Sequence, residues 1–205
     1  TPVELENAMR YGSQSSTDVR RKDDLGRFGL GLKMASLSQC RKVTVMTKKD
    51  GVTCAACWDL DYIIQQKNWS LQFYSEEELE DMPGYLYLKL KDSGTVVTWE
   101  RFDRLKQGAA QITKAFDEKI ELTRKHISLV FHRFLNDENP KSRIMMYFNG
   151  EVVKGIDPFL TKHPATQPLS EQVLRIASEE IRVKPYVLPY ISKMSKQDIA
   201  AIGGK

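Results

Sequence analysis

Gly26, Gly29 and Gly31 stand in a GxxGxG order within Gly26-Arg27-Phe28-Gly29-Leu30-Gly31-Leu32-Lys33, and Met34-Ala35-Ser36-Leu37-Ser38 follows at once. A residue without a Cβ lets the backbone approach another group closely, and the helix formers beyond it open a helix whose first N–H groups have no partner. Such a stretch is shaped for an anion. Gly29 and Gly31 supply the approach, the N–H groups of Leu30 to Met34 the donors, and the positive end of the helix dipole the field. Glycine turns ahead of helices are common, so the surrounding chain has to decide whether this one holds a phosphate.

The chain has 205 residues, 41% hydrophobic and 28% charged, which suits an ordinary globular protein with one large core or two smaller ones. Its net charge of +4 is spread among acids rather than gathered in a block, so there is no sharp nucleic-acid footprint. No apolar run reaches the length of a membrane span, and Thr1-Pro2-Val3-Glu4 does not resemble a signal peptide. The only cysteines, Cys40, Cys54 and Cys57, are odd in number, as expected of a cytoplasmic protein with free thiols.

The first ten residues read as a helix, with Thr1 as N-cap, Pro2 at the first helical position and Glu4 completing a capping box. Residues 12–25 are polar and sparse in apolar side chains, which suits a surface loop, either a cover over a ligand or a solvated linker. After the glycine-led helix, Lys42 to Lys48 and Val52 to Leu60 read as two strands joined by a turn at Lys49-Asp50-Gly51. Cys54 and Cys57 fall inside the second strand, where an odd offset sends them to opposite faces, so both read as structural. Trp69 to Tyr74 is expected to be extended and Ser75 to Met82 a short acidic helix; Tyr85 to Leu90 and Thr95 to Trp99 read as strands.

From Gln111 to Leu135 the period becomes helical, with a break expected near Thr123, and a second unit begins. Asn149-Gly150, between Arg143 to Phe148 and Glu151 to Lys154, is the strongest hairpin signal in the chain. Asp157 to Pro168 is irregular, Gln172 to Val183 extended, and a proline-marked coil runs through Pro189. His126, His132 and His163 have no metal-ligand spacing.

Three schemes that use glycines this way do not fit. A Walker A loop needs Gly-Lys-Ser/Thr after four spacers, a dinucleotide turn needs a buried strand just before its glycines, and a kinase loop runs GxGxxG between two strands. The order helix, polar segment, GxxGxG at a helix start, hairpin, then a strand opening with Gly94-Thr95 resembles the ATP-binding domain of the GHKL superfamily, named for gyrase B, the heat-shock chaperone, histidine kinases and MutL. The glycine stretch is similar to the second glycine box of its microrchidia and chaperone-like branches, and Ala8 to Ser16 resembles the lead into the lid. Ser93 to Trp99 resembles the final Gly-Thr strand, and His126 to Leu135 with Ile144 to Gly150 resembles the transducer domain that follows.

The resemblance implies an α+β chain: a partial Bergerat-type α/β sandwich, a mixed sheet with helices on one face, over residues 1–106 with a lid at 12–25, then a partial transducer-like α/β domain over 107–205. It implies ATP and Mg2+ as cofactors, with Gly26, Arg27, Phe28, Gly29, Leu30, Gly31, Leu32 and Lys33 forming the phosphate turn. Ser15, Ser16 and Thr17 would touch phosphate from the closed lid, and Thr95 would lie beside the adenine. The Lys33 side chain is left open between a phosphate contact and a solvated helix lysine. In the family an earlier helix carries a basic glutamate and a magnesium-binding asparagine, ahead of an Asp-x-Gly-x-Gly turn that reads adenine. Neither is found here. Glu4 and Asn7 have the wrong spacing to replace them, so the chain is expected to start downstream of half the site, to carry no catalytic residue and to end within the transducer. The implied intact protein hydrolyses ATP to drive lid closure and homodimerisation and acts on DNA or a protein client. The alternatives are a noncatalytic interaction module with the same fold and, less favoured, a histidine kinase.

Overall fold

The computed structural model describes residues 1–12, 29–104, 111–139 and 142–202. The chain divides into two compact units, Thr1–Ile112 and Thr113–Lys205. The expected boundary at 106/107 falls outside the described residues.

The first unit is built on a four-stranded sheet. Strand β1 (Cys40–Lys49) pairs on one side with β2 (Val52–Asp59) and on the other with β4 (Gly94–Phe102), while β3 (Gln72–Phe73) adds to β2. In β1, the run Val43 to Met46 is buried without interruption, so both of its faces need cover. Val43 and Val45, with Ala56 and Trp58 opposite, meet Leu5 and Met9 of α1 (Pro2–Met9) and Leu37 of α2 (Gly31–Leu37); Ile63 of α3 (Leu60–Gln66) joins them. On the other face Met46 and Ala55 meet Leu79 of α4 (Glu76–Glu80) and Leu88 of α5 (Tyr85–Lys89).

The α+β class stands, and two of its details change. Helices cover both faces of the sheet rather than one, because Tyr85 to Lys89, expected as a strand, is α5. Its period-two pattern is deceptive: Leu86 and Tyr87 are exposed, and only Leu88 is buried. The expected mixed sheet has antiparallel pairs only among the described strands, since β1 and β2 form a hairpin and the chain returns through α3 to α5 to lay β4 antiparallel to β1.

The second unit begins in α6 (Ile112–Val130), which runs on through Thr123 and gives way at Phe131 to α7 (His132–Leu135). Thr123 stays within the helix, its hydroxyl donating back to the Lys119 carbonyl at 2.8 Å. Strands β5 (Tyr147–Phe148) and β6 (Glu151–Val152) form the expected hairpin, with both turn residues at positive φ, Asn149 at 50° and Gly150 at 84°. The extended segment is a second hairpin, β8 (Gln172–Ile176) and β9 (Glu179–Val183), which turns at Ala177 with φ 53°. No glycine or asparagine marks that turn, so it reads as continuous extension. β7 (Gln167–Pro168) pairs with β10 (Tyr186–Val187), and α8 (Lys196–Ala201) closes the described chain on a Ser195–Asp198 capping box.

Candidate functional site

The described part of the glycine stretch begins at Gly29, whose φ of 62° places it in the left-handed region that favours glycine. Helix α2 starts two residues later. Its first intrahelical bond runs from the Met34 N–H to the Leu30 carbonyl at 2.9 Å, which leaves the N–H groups of Gly31, Leu32 and Lys33 without an intrahelical acceptor. The N-cap is Leu30, and no side chain caps it. The contrast with α1 and α4 is direct: Thr1 and Ser75 each cap their helix in a full capping box.

Thr95, the second residue of β4, lies opposite Thr47, with their hydroxyls 3.2 Å apart, and the Thr47 hydroxyl also donates to the Gly94 carbonyl at 3.0 Å. The register continues through Val45–Val97 and Val43–Trp99. Thr95 therefore shares the sheet face against which α2 packs through Leu37. Gly26, Arg27, Phe28, Ser15, Ser16, Thr17 and the rest of the expected lid after Gly12 lie outside the described residues.

Lys33 is not a solvated helix lysine. It is 2% exposed, and its Nζ donates to the Ala8 carbonyl in the last turn of α1 at 2.6 Å. Burial pulls its ammonium below the ordinary lysine value. Beside it Trp58 donates Nε1–H to the Met9 carbonyl at 2.9 Å, and Tyr11 stands edge-on to Trp58 and Trp69 at 5.7 and 5.4 Å between ring centres. Sequence reading missed this aromatic group. Trp58, one residue after Cys57 in an alternating strand, shows only as one more large side chain.

The carboxylate of Glu4 accepts from Thr1 and, at 2.7 Å, from Lys49. Lys49 first, then the amino terminus and hydroxyl of Thr1, hold its carboxyl down at about 2. It is occupied in fixing the start of α1. The three cysteines are free thiols, and burial pushes all three upward in pKa. No group of three or more His, Cys, Asp or Glu among the described residues could hold a metal ion. His132 turns its Nδ1 to the Leu129 carbonyl at 2.8 Å.

A sequence-silent ion cluster closes the far end of the sheet. Arg41 meets Asp61 at 2.5 Å, and Arg101 meets both Asp59, at 2.5 Å, and Asp61. Arg41 above all holds Asp61 below the usual carboxylate range; at Asp59 burial pushes upward, and Arg101 together with the N–H groups of Tyr62 and Asp61 outweighs it. In the second unit an open cavity of about 720 Å3 is lined by His132, Arg133, Arg143, Lys162 and Tyr186 among others, and contains none of the expected site residues. No helix among the described residues is long and apolar enough to cross a membrane.

Residues 1–95 match the family model described as histidine kinase-, DNA gyrase B-, and HSP90-like ATPase. None of the curated proteins compared matches the chain.

Proposed function

We propose, for a chain whose residues 1–95 belong to the histidine kinase-, DNA gyrase B-, and HSP90-like ATPases, that the start of α2 is the seat of the ATP phosphates. The coarse reading, an ATP-binding, ATPase-type first unit, follows from membership. The finer reading is supported chiefly by one observation: α2 opens uncapped just after Gly29, on the sheet face that also carries Thr95. Its first N–H groups, which have no intrahelical acceptor, suit the β- and γ-phosphates, as backbone donors at helix starts do generally. Gly26, Arg27 and Phe28 complete the turn in this reading, Ser15, Ser16 and Thr17 reach phosphate from the lid, and Thr95 flanks the adenine.

Mg2+ usually accompanies ATP in the family, and among the described residues no three His, Cys, Asp or Glu come together as a metal group. Because Glu4 and Asn7 have the wrong spacing, we assign the metal-binding asparagine and the basic glutamate to no residue of this chain, and derive no hydrolytic step from it. The intact protein hydrolyses ATP and couples closure of residues 12–25 to homodimerisation, with a DNA or protein client, in this reading. The transducer-like role of residues 107–205 belongs to the same proposal.

Calorimetry with a nonhydrolysable ATP analogue tests the phosphate seat. Gly29→Val forces a β-branched residue to a φ of 62° and is expected to abolish binding by the intact protein; unchanged affinity would remove the assignment. Rapid Mg2+-dependent turnover by residues 1–205 would overturn the reading that this chain carries neither the base nor the metal ligand.

A further inference from the structure

The buried face of α2 is polar where a short surface helix normally buries an apolar stripe. Lys33 and Ser36 are 2% and 0% exposed, while Leu32 and Met34 are 41% and 59% exposed. Leu37, at the last turn, packs against the core of the first unit. Among the described residues Leu37 anchors the end of α2 by apolar contact, and the beginning carries N–H groups without an intrahelical acceptor.

The beginning is held by Lys33. The last carbonyls of a helix have no intrahelical donor, and they are its negative end. In α1 two of these carbonyls are taken by side chains from elsewhere in the unit: Ala8 by Lys33 Nζ at 2.6 Å and Met9 by Trp58 Nε1 at 2.9 Å. The Tyr11 ring lies 6.0 Å from the same Nζ, within reach of a cation–π contact. Removing the ammonium would take that donor from the Ala8 carbonyl, whose bond to Lys33 is part-buried.

We propose that Lys33 is a positioning residue: its side chain, bonded to Ala8 at the end of α1, sets where the start of α2 sits and does not meet the nucleotide phosphates. The role toward nucleotide rests on the phosphate reading given above, whereas the clasp to α1 exists without nucleotide. A lysine in the first turn after a glycine box invites assignment to phosphate, and here its cation is spent on the neighbouring helix.

Amine acylation of the native chain, read peptide by peptide by mass spectrometry, separates the roles. In the nucleotide-free protein Lys33 is expected to react more than about tenfold slower than exposed Lys67, with little change when ATP is added. Reaction at the rate of Lys67 followed by shielding with ATP would overturn the proposal in favour of a phosphate contact. Reaction at that rate with no shielding would overturn it in favour of a solvated lysine. Lys33→Met in the intact protein is expected to weaken ATP and ADP by the same factor and to change Trp58 emission before nucleotide is added. A loss confined to ATP would overturn the positioning role. A protected Lys33 in a protein that binds no nucleotide would overturn the phosphate reading and leave the clasp standing.

Discussion

The two units differ in how their strands are closed. In the first, β1 lies between β2 and β4, both faces are covered, and the buried side chains include Met9, Val43, Met46, Trp58 and Leu88. In the second, the described strands form three separate two-stranded pairs, and Leu135 and Val153 are the buried hydrophobic residues among the described ones. Every residue of β8 and β9 is exposed, although Leu174, Ile176, Ile181 and Val183 share one face of that hairpin. A two-stranded hairpin is marginal in water, and covered sheets gain stability from the area they bury. The difference shows that strand-forming sequence is not enough: β9 has β-branched residues too, but β1 and β2 have a strand on each side and helices against both faces.

Substitution should make that contrast measurable. Trp58→Ala removes a large buried ring together with the donor to Met9, and is expected to destabilise the first unit by about 3–5 kcal/mol in chemical denaturation. Leu174→Ser, at a half-exposed position, is expected to change stability by less than about 0.5 kcal/mol; comparable losses would break the comparison.

Two glycines with the same φ of 84° sharpen it at smaller scale. A Cβ at Gly84 would stand 3.0 Å from Val96 Cγ1, whereas one at Gly150 meets nothing within 4 Å. Gly84→Ala is expected to cost about 1–3 kcal/mol and Gly150→Ala less, both by urea denaturation. Equal costs would show that backbone strain alone matters at both turns.

The smallest effect is at the surface of the first unit. Glu4 is lowered from an ordinary 4.5 to about 2, so its ion pair with Lys49 contributes stability that is present above 4.5 and lost as pH falls toward 2. Glu4→Gln should flatten that part of the acid-stability curve, and added salt should do the same because the pair is exposed. A curve unchanged by either would show that Glu4 acts through its capping hydrogen bonds alone.

The sequence by itself determined what is set within a few residues. Thr1 and Ser75 cap their helices, Asp50-Gly51 and Asn149-Gly150 turn their hairpins, and Gly29 takes a φ few other residues tolerate. These features need only local hydrogen bonds and local sterics, so the helix caps and the two hairpin turns were legible. Tertiary structure decided what depends on a distant partner. Tyr85 to Lys89 became a helix because Leu88 packs beside Met46 and Leu79, and the Ala177 turn formed because Gln172 to Ile176 found Glu179 to Val183. Lys33 went inward because α1 ends beside it with an unpaired carbonyl, 25 residues away in sequence. A side chain's partner across that distance is fixed by packing, which residue types and spacing do not encode one position at a time.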